Sequence, residues 1–320
     1  MTRTLTDNDV RALLDPDALI SALETAFGER FPKVEIPVRT QIKTNEGVFL
    51  VMPCYDPTRS NLGIKFVVVQ RSPARPGERI QAGYVLLDPK SGATTLSAQA
   101  SYITELRTAA TSALATRLLS REDTKVLGIF GTGRQARAHV RMLPRVRRFE
   151  RILVCGRNRQ ASERFANEMQ GECHLPVEAV DAPDCARSAD VICTCTTSPE
   201  PLFAGQLLRP GTHINAVGAF QPHTRELDSV AIQKSCLVVE SREAALAEAG
   251  DLLIPIAEGA IGPDSIAADL HEIVSGTRPG RTSPADITVF KSVGCALEDL
   301  VAVELIQKNQ KNGINSSTRA

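Results

Sequence analysis

Gly131, Gly133 and Ala136 stand in the spacing G-x-G-x-x-A, directly after the apolar run Val126–Phe130 and ahead of a helical pattern. The first glycine of such a turn permits the tight bend, and the second lets backbone approach a pyrophosphate. The small third residue lets the helix pack close on the strand. The helix opening there offers unpaired N–H groups and a positive dipole end to phosphate. Folds of this kind that bind a ribose 2′-hydroxyl end the next strand with Asp or Glu, about 20 residues past the turn. Here the apolar Ile152–Cys155 is followed by Gly156, Arg157, Asn158 and Arg159. A missing carboxylate with added guanidinium suits a 2′-phosphate, which Arg takes through bidentate charge-assisted bonds. Glycine turns are common, and Arg145, Arg147, Arg148 and Arg151 make this stretch basic in any case. It is the strand–turn–helix–strand order that points to a dinucleotide. The basic turn points to NADPH, with NADH still allowed.

Three further cations could meet a ligand. Lys65 lies in GIKFVVVQ with apolar neighbours on both faces, so it has either a buried partner or ligand, or an edge-strand position with its head in water. Arg39, in IPVRTQI, carries the same ambiguity. Arg107, in TELRTAATSALA, sits among Thr104, Thr108 and Thr111, where it could grip a carboxylate or serve as an ordinary surface arginine. Beyond the apolar run His213–Val217, the loop Gly218, Ala219, Phe220, Gln221, Pro222, His223 is a candidate substrate wall, because loops at the carboxyl ends of such strands face the ligand crevice. His139, His174, His213, His223 and His271 are dispersed without metal-ligand spacing. A nucleophile elbow, a P-loop and a zinc motif are absent, and no metal is expected.

The elements that must position these residues fall into two styles. Thr6 with Asp9 resembles a capping box for a first helix, and Asp15–Pro16 caps a second through Phe27. Strands are expected at Ile36–Ile42, Gly47–Met52, Gly63–Gln70, Gly83–Leu87 and Thr94–Ala98, without helices between them, hence a mostly antiparallel sheet. Ser101–Leu119 reads as an Ala/Thr/Ser-rich helix. From about Arg121 strands and helices alternate, which predicts a doubly wound parallel sheet with later strands at Val191–Thr194, His213–Val217 and Leu237–Glu240. Ile287–Phe290 and a helix from Gly294 to Lys308 are expected to cross back to the first domain, before a frayed polar tail, NQKNGINSSTRA. The fold class is therefore α/β: a Rossmann domain over 120–289 and an α+β substrate and dimerisation domain built from 1–119 with 290–320.

Bulk properties exclude other classes. The 320 residues carry 37 basic and 37 acidic side chains, so no net field favours nucleic acid or an anionic membrane. No apolar run has membrane-spanning length, and MTRTLTDNDV is too polar for a signal peptide. Eight cysteines are scattered without a C-x-x-C pair, as in a cytoplasmic protein with reduced thiols. Cys193 and Cys195 share a strand face without a partner pair, so structural thiols are expected rather than zinc ligands.

Assembled, the chain resembles the ornithine cyclodeaminase/mu-crystallin family over nearly its whole length. The matching segments are Pro37–Thr40, Val51–Pro53, Ile64–Lys65, Ile103–Thr116, Gly131–Ala136, His213–Leu227, Glu240–Asp251 and Ile287–Asp299. The resemblance implies a homodimer built through the N-terminal sheet and the C-terminal helix. It also implies that Arg39, Lys65 and Arg107 bind an amino-acid-like substrate, the Arg107 guanidinium gripping its carboxylate. The expected cofactor set is Thr108, Gly131, Thr132, Gly133, Arg134, Gln135, Ala136, Gly156, Arg157, Asn158, Arg159, Val217 and Gly218.

Two departures from the family pattern bear on the reaction. Cyclodeaminases carry an Asp at the position of Phe220 and a Glu two residues before the Met-Pro pair, where this chain has Leu50. The resemblance is therefore to the ketimine and pyrroline-2-carboxylate reductase branch. That implies reduction of a cyclic imino acid, with Lys65 catalytic and Met52 and Phe220 bounding a flat apolar pocket. Alternatives are an ornithine cyclodeaminase, an alanine or N-alkyl amino-acid dehydrogenase, and a non-enzymatic NADPH or small-ligand binder.

Overall fold

A computed structural model describes residues 4–72 and 80–317, excluding the side chains of 313–317. The chain divides into two compact units, Met1–Arg107 with Cys295–Ala320, and Thr108–Gly294.

The first unit begins with β1 (Thr4–Leu5), α1 (Asp7–Leu13) and α2 (Pro16–Thr25). The capping box forms: the Thr6 N–H donates to Asp9 at 2.8 Å, and the Asp9 N–H to the Thr6 hydroxyl at 3.2 Å. α2 stops short of Phe27 and passes into a π-helical turn over Ala26–Arg30, which brings Arg30 to Asp56 and Glu304. Then come β2 (Thr40–Lys43), β3 (Gly47–Asp56), β4 (Asn61–Gln70), β5 (Ile80–Leu87), β6 (Thr94–Gln99) and α3 (Ser101–Leu119), which runs on into the second unit. The sheet order is β1-β6-β5-β4-β3-β2, antiparallel except for β1 with β6. The expected strand from Ile36 starts only at Thr40, since Pro37 lacks a ladder N–H; Glu35 makes an isolated bridge to Tyr55 instead.

Alternation sorts this sheet into two faces. Leu50, Met52, Cys54, Lys65, Val67, Tyr84 and Leu86 point inward, and the closing helix packs against β3 and β4. The other face is also apolar. Ile42, Phe49 and Val68 align across three strands, Val51 and Phe66 pair beside them, and the Phe49 and Phe66 rings stack at 6.1 Å.

The second unit continues with β7 (Val126–Phe130), α4 (Arg134–Met142), β8 (Arg151–Cys155), α5 (Arg159–Cys173), β9 (Val177–Ala179), α6 (Ala182–Ser188), β10 (Val191–Thr194) and β11 (His213–Ala216). It closes with α7 (Ser229–Gln233), β12 (Ser235–Val239), α8 (Arg242–Glu248), α9 (Gly250–Ala257), β13 (Ile266–Asp269), α10 (Leu270–Val274) and β14 (Ile287–Lys291). These strands form one parallel sheet ordered β13-β12-β14-β11-β10-β7-β8-β9. The order reverses between β7 and β10, the switch point where doubly wound sheets bind ligands. The Ile287 segment does not cross back. Every residue of β14 is buried between β11 and β12, as a central parallel strand requires. Only α11 (Ala296–Ser317) returns to the first unit, and the tail expected to fray is helical through Ser317. The Asn309 amide donates to the Leu13 carbonyl at 2.8 Å, which ties the start of this segment to the first unit. Residues 1–3 and 318–320, the ends of the two polar termini, lie outside the described residues.

Candidate functional site

Lys65 sits on the central strand β4, opposite Met52 on β3 and Tyr84 on β5, and its side chain is 1% exposed. The edge-strand alternative is thereby removed. Its ammonium meets Asp299 at 2.6 Å. Arg107, buried on α3, reaches Glu298 at 2.5 Å and Asp299 at 3.1 Å. Both carboxylates come from the first turn of α11, where the helix dipole favours negative charge. Arg39, half-buried in the loop before β2, is near enough for its charge to bear on Lys65. Burial and then the Arg107 charge depress the Lys65 pKa, Asp299 opposes them through charge and a hydrogen bond, and the result is about 8.

In the second unit the glycine turn has its expected form. Gly131 has φ +114°, and a methyl there would fall 2.6 Å from the Cys195 carbonyl oxygen. A methyl on Gly133 would meet no atom within 4 Å, so the space over the start of α4 is open. Arg134 and Gln135 begin that helix, and Ala136, next along it, is fully buried. The Thr132 carbonyl accepts from Arg137 at 2.6 Å, which braces the turn from behind. Open space backed by helix N–H groups fits a pyrophosphate.

The basic turn after β8 is differentiated. Gly156 packs so closely that a Cβ would lie 2.8 Å from the Ser162 hydroxyl and 3.2 Å from Thr132, so a larger residue there would have to displace those side chains. Asn158 caps α5 by accepting from the Ala161 N–H at 2.9 Å. Arg159 pairs with Glu163 at 2.9 Å. Arg157 is exposed, and among the described residues no ion pair engages it. Val217 and Gly218 both donate to the Thr194 carbonyl at 3.1 Å, joining the loops after β10 and β11. Phe220 is half-buried against the apolar core of this unit, Thr108 is buried on α3, and His223 is exposed.

Two groups escaped the sequence reading. Glu298 and Asp299 are adjacent acids in an apolar context, CALEDLVAVEL, and that context was the available signal. Glu226, Asp251 and Lys291 form a buried polar cluster that only the fold assembles. Among the described residues no three His, Cys, Asp or Glu side chains converge on a possible metal, and no helix is long and apolar enough to cross a membrane.

Comparison with known proteins adds to this geometry. The profile of the ornithine cyclodeaminase/mu-crystallin family matches residues 2–313. A Delta(1)-pyrroline-2-carboxylate reductase of Bacillus cereus is 34% identical over 316 residues, 97% of either chain. The ketimine reductase mu-crystallin of Mus musculus is 38% identical over 305 residues, 92% of this chain and 93% of its own. The structure of Thermococcus litoralis Delta(1)-pyrroline-2-carboxylate reductase, in complex with NADH and L-proline, superposes with a TM-score of 0.91 at 36% identity, covering 97% of this chain and 98% of that one.

Proposed function

The chain belongs to the ornithine cyclodeaminase/mu-crystallin family, and we propose that it reduces cyclic imino acids with NAD(P)H. Δ1-Pyrroline-2-carboxylate or Δ1-piperideine-2-carboxylate would give L-proline or L-pipecolate. The observation that carries this reading is the buried set of Lys65, Arg107, Glu298 and Asp299, in a chain with Leu50 and Phe220 where cyclodeaminases carry acids. A cyclodeaminase must expel ammonia and return a hydride, steps that use general acids and bases. Reduction of a C=N bond needs a held carboxylate, a hydride and one proton.

In this reading Arg107 and Arg39 hold the substrate carboxylate, and Met52 and Phe220 contribute apolar walls. A reduced nicotinamide, when bound, would supply the hydride that the imine carbon takes. Lys65, still protonated at neutral pH, supplies the proton that the nitrogen takes as the C=N electron pair moves onto it. A donor with a pKa near the working pH is well matched to that task. The glycine turn Gly131–Ala136 would hold the pyrophosphate, with Thr108, Val217 and Gly218 completing the cofactor set.

The lack of an acid at Gly156 and the exposed guanidinium of Arg157 favour NADPH over NADH. The apolar outer face of the six-stranded sheet supports a homodimer, since a face carrying Ile42, Phe49, Phe66 and Val68 suits a second copy of itself. Eight unbridged cysteines support a reducing, cytoplasmic setting. A panel of cyclic imines and amino acids, followed by nucleotide absorbance with NADPH and NADH, tests the proposal. Turnover of the two imines is expected; release of ammonia and proline from ornithine without imine reduction would overturn it.

A further inference from the structure

We propose that Glu226 is a positioning residue for this reaction, locking the loop after β10 to the loop after β11 so that the glycine turn and the Phe220 wall keep one fixed geometry. The inference rests on the reductase reading. Glu226 is fully buried and accepts four hydrogen bonds. One carboxylate oxygen takes the Thr194 hydroxyl at 2.7 Å and the Gly218 N–H at 2.7 Å. The other takes the Thr196 N–H at 2.7 Å and its hydroxyl at 2.6 Å. Thr194 and Thr196 flank Cys195, the residue whose carbonyl packs on Gly131. Gly218 opens the loop that bears Phe220, and a Cβ on it would lie 2.4 Å from the Glu226 carboxylate and 2.3 Å from the Thr196 carbonyl. Glycine is thus what lets the carboxylate reach both loops.

The far end of the loop is pinned as well. Asp251 accepts the N–H groups of Glu226 and Leu227 at 2.7 and 2.9 Å and pairs with Lys291 at 2.8 Å. Lys291, the last residue of β14, donates also to the Ala219 carbonyl at 2.5 Å, next to Phe220. Beneath the loop, a methyl on Gly250 would stand 2.0 Å from the Thr224 carbonyl and 2.6 Å from that of Gln221. Three buried charges spent on one loop specify a single conformation. That loop lies at the carboxyl ends of the strands, where doubly wound folds meet their ligands.

Glu226→Gln places the amide NH2, itself a donor, against two of the four donors, whichever way the amide turns. The expected result is a folded protein with kcat for Δ1-pyrroline-2-carboxylate down about 10-fold or more, consistent with small misplacements being expensive in rate. NADPH should bind more weakly, and amide deuterium exchange should quicken in 195–199 and 217–225 while the rest of the sheet stays protected. Thr196→Val, which removes one of the four bonds to Glu226 together with the bond the hydroxyl accepts from the Ser198 N–H, should move the same readouts in the same direction by less. Unchanged kcat in folded E226Q overturns the proposal, as does a loss of kcat without faster exchange in those two loops. If E226Q does not fold, T196V decides alone, and wild-type kcat and exchange there overturn it. Wild-type protein that binds NADPH but reduces no imine sinks the reductase reading only; exchange and NADPH affinity still decide the role of Glu226.

Discussion

The Lys65 ammonium lies 2.6 Å from the Asp299 carboxylate, and both are shut off from solvent. Burial alone would drive the lysine toward neutrality, and Asp299 holds it at a pKa of about 8. Since the protonated form is the donor, kcat/KM for imine reduction should be level at neutral pH and fall about tenfold per unit above pH 8. Asp299→Asn removes an influence that raises the pKa, so the falling limb should move to lower pH. Profiles of kcat/KM against pH for the two proteins check this, and an unmoved limb in D299N would refute the pairing as the cause.

Arg107 is expected to act on substrate affinity. Arg107→Lys keeps a charge but loses the planar fork, so KM for the imino acid should rise about 10-fold or more, with NADPH affinity unchanged. Arg107→Leu should also destabilise the fold by about 3–5 kcal/mol, because it takes the guanidinium away from buried Glu298 and Asp299. Steady-state kinetics with denaturant unfolding separates the two effects; a KM change confined to the nucleotide would contradict the assignment.

The shape of the glycine turn is largely legible in the sequence, because it is local: Gly131, Gly133 and Ala136 lie within six residues of one strand and one helix. Uninterrupted elements are legible for the same reason, the long helix Ser101–Leu119 and the short apolar strand Val126–Phe130 among them. Lys65 was visible only as an anomaly, since what resolves it is a carboxylate more than two hundred residues away on α11. The Glu226 network is less legible still. Its members lie on β10, the loop after β11, α9 and β14, and the sequence pattern sends β14 back to the first domain, whereas it pairs with β11 and β12. The C-terminal tail misled in the opposite sense, as its polar composition hid a helix that is docked by Asn309.

Cofactor preference should turn on one side chain. Arg157 is the guanidinium of its turn that no ion pair occupies among the described residues, and a bond to a charged acceptor contributes about 1.5–3 kcal/mol. Arg157→Asp should therefore weaken NADPH by roughly 10–100-fold while NADH changes little or improves. Fluorescence titration of both nucleotides measures this, and equal losses for the two would count against a 2′-phosphate contact.

Acid should destabilise the protein through two buried histidines. His139 donates from Nδ1 to the Gln135 carbonyl at 2.7 Å, leaving Nε2 to accept from the Ser112 hydroxyl at 2.9 Å, an arrangement that needs the neutral ring. Burial lowers its pKa to about 4, and burial with the Arg281 charge lowers that of His213 to about 3. These depressed values give stability that is complete above 6.5, the unfolded pKa, and lost as pH falls through the folded values. Each proton taken up on unfolding contributes a slope of about 1.4 kcal/mol per pH unit. Denaturant unfolding between pH 7 and 4 should show this decline, and His139→Gln should flatten it by about one proton. A variant with the wild-type slope would remove His139 as a source.

The two glycines of the turn should fail in different ways when a methyl is added. At Gly131 the φ of +114° disfavours any side chain, and the new Cβ meets the Cys195 carbonyl at 2.6 Å. Gly131→Ala should therefore lower stability by about 1–3 kcal/mol and disturb the very loop that Glu226 fixes. At Gly133 the backbone is extended and the space is open, so Gly133→Ala should leave the melting temperature unchanged. In the proposed cofactor site that space takes the dinucleotide, so the same methyl should weaken NADPH and NADH binding together, by about 10-fold or more. Calorimetry and nucleotide titration on both variants test the contrast. A Gly133→Ala protein with unaltered affinity for either nucleotide would mean that the pyrophosphate lies elsewhere.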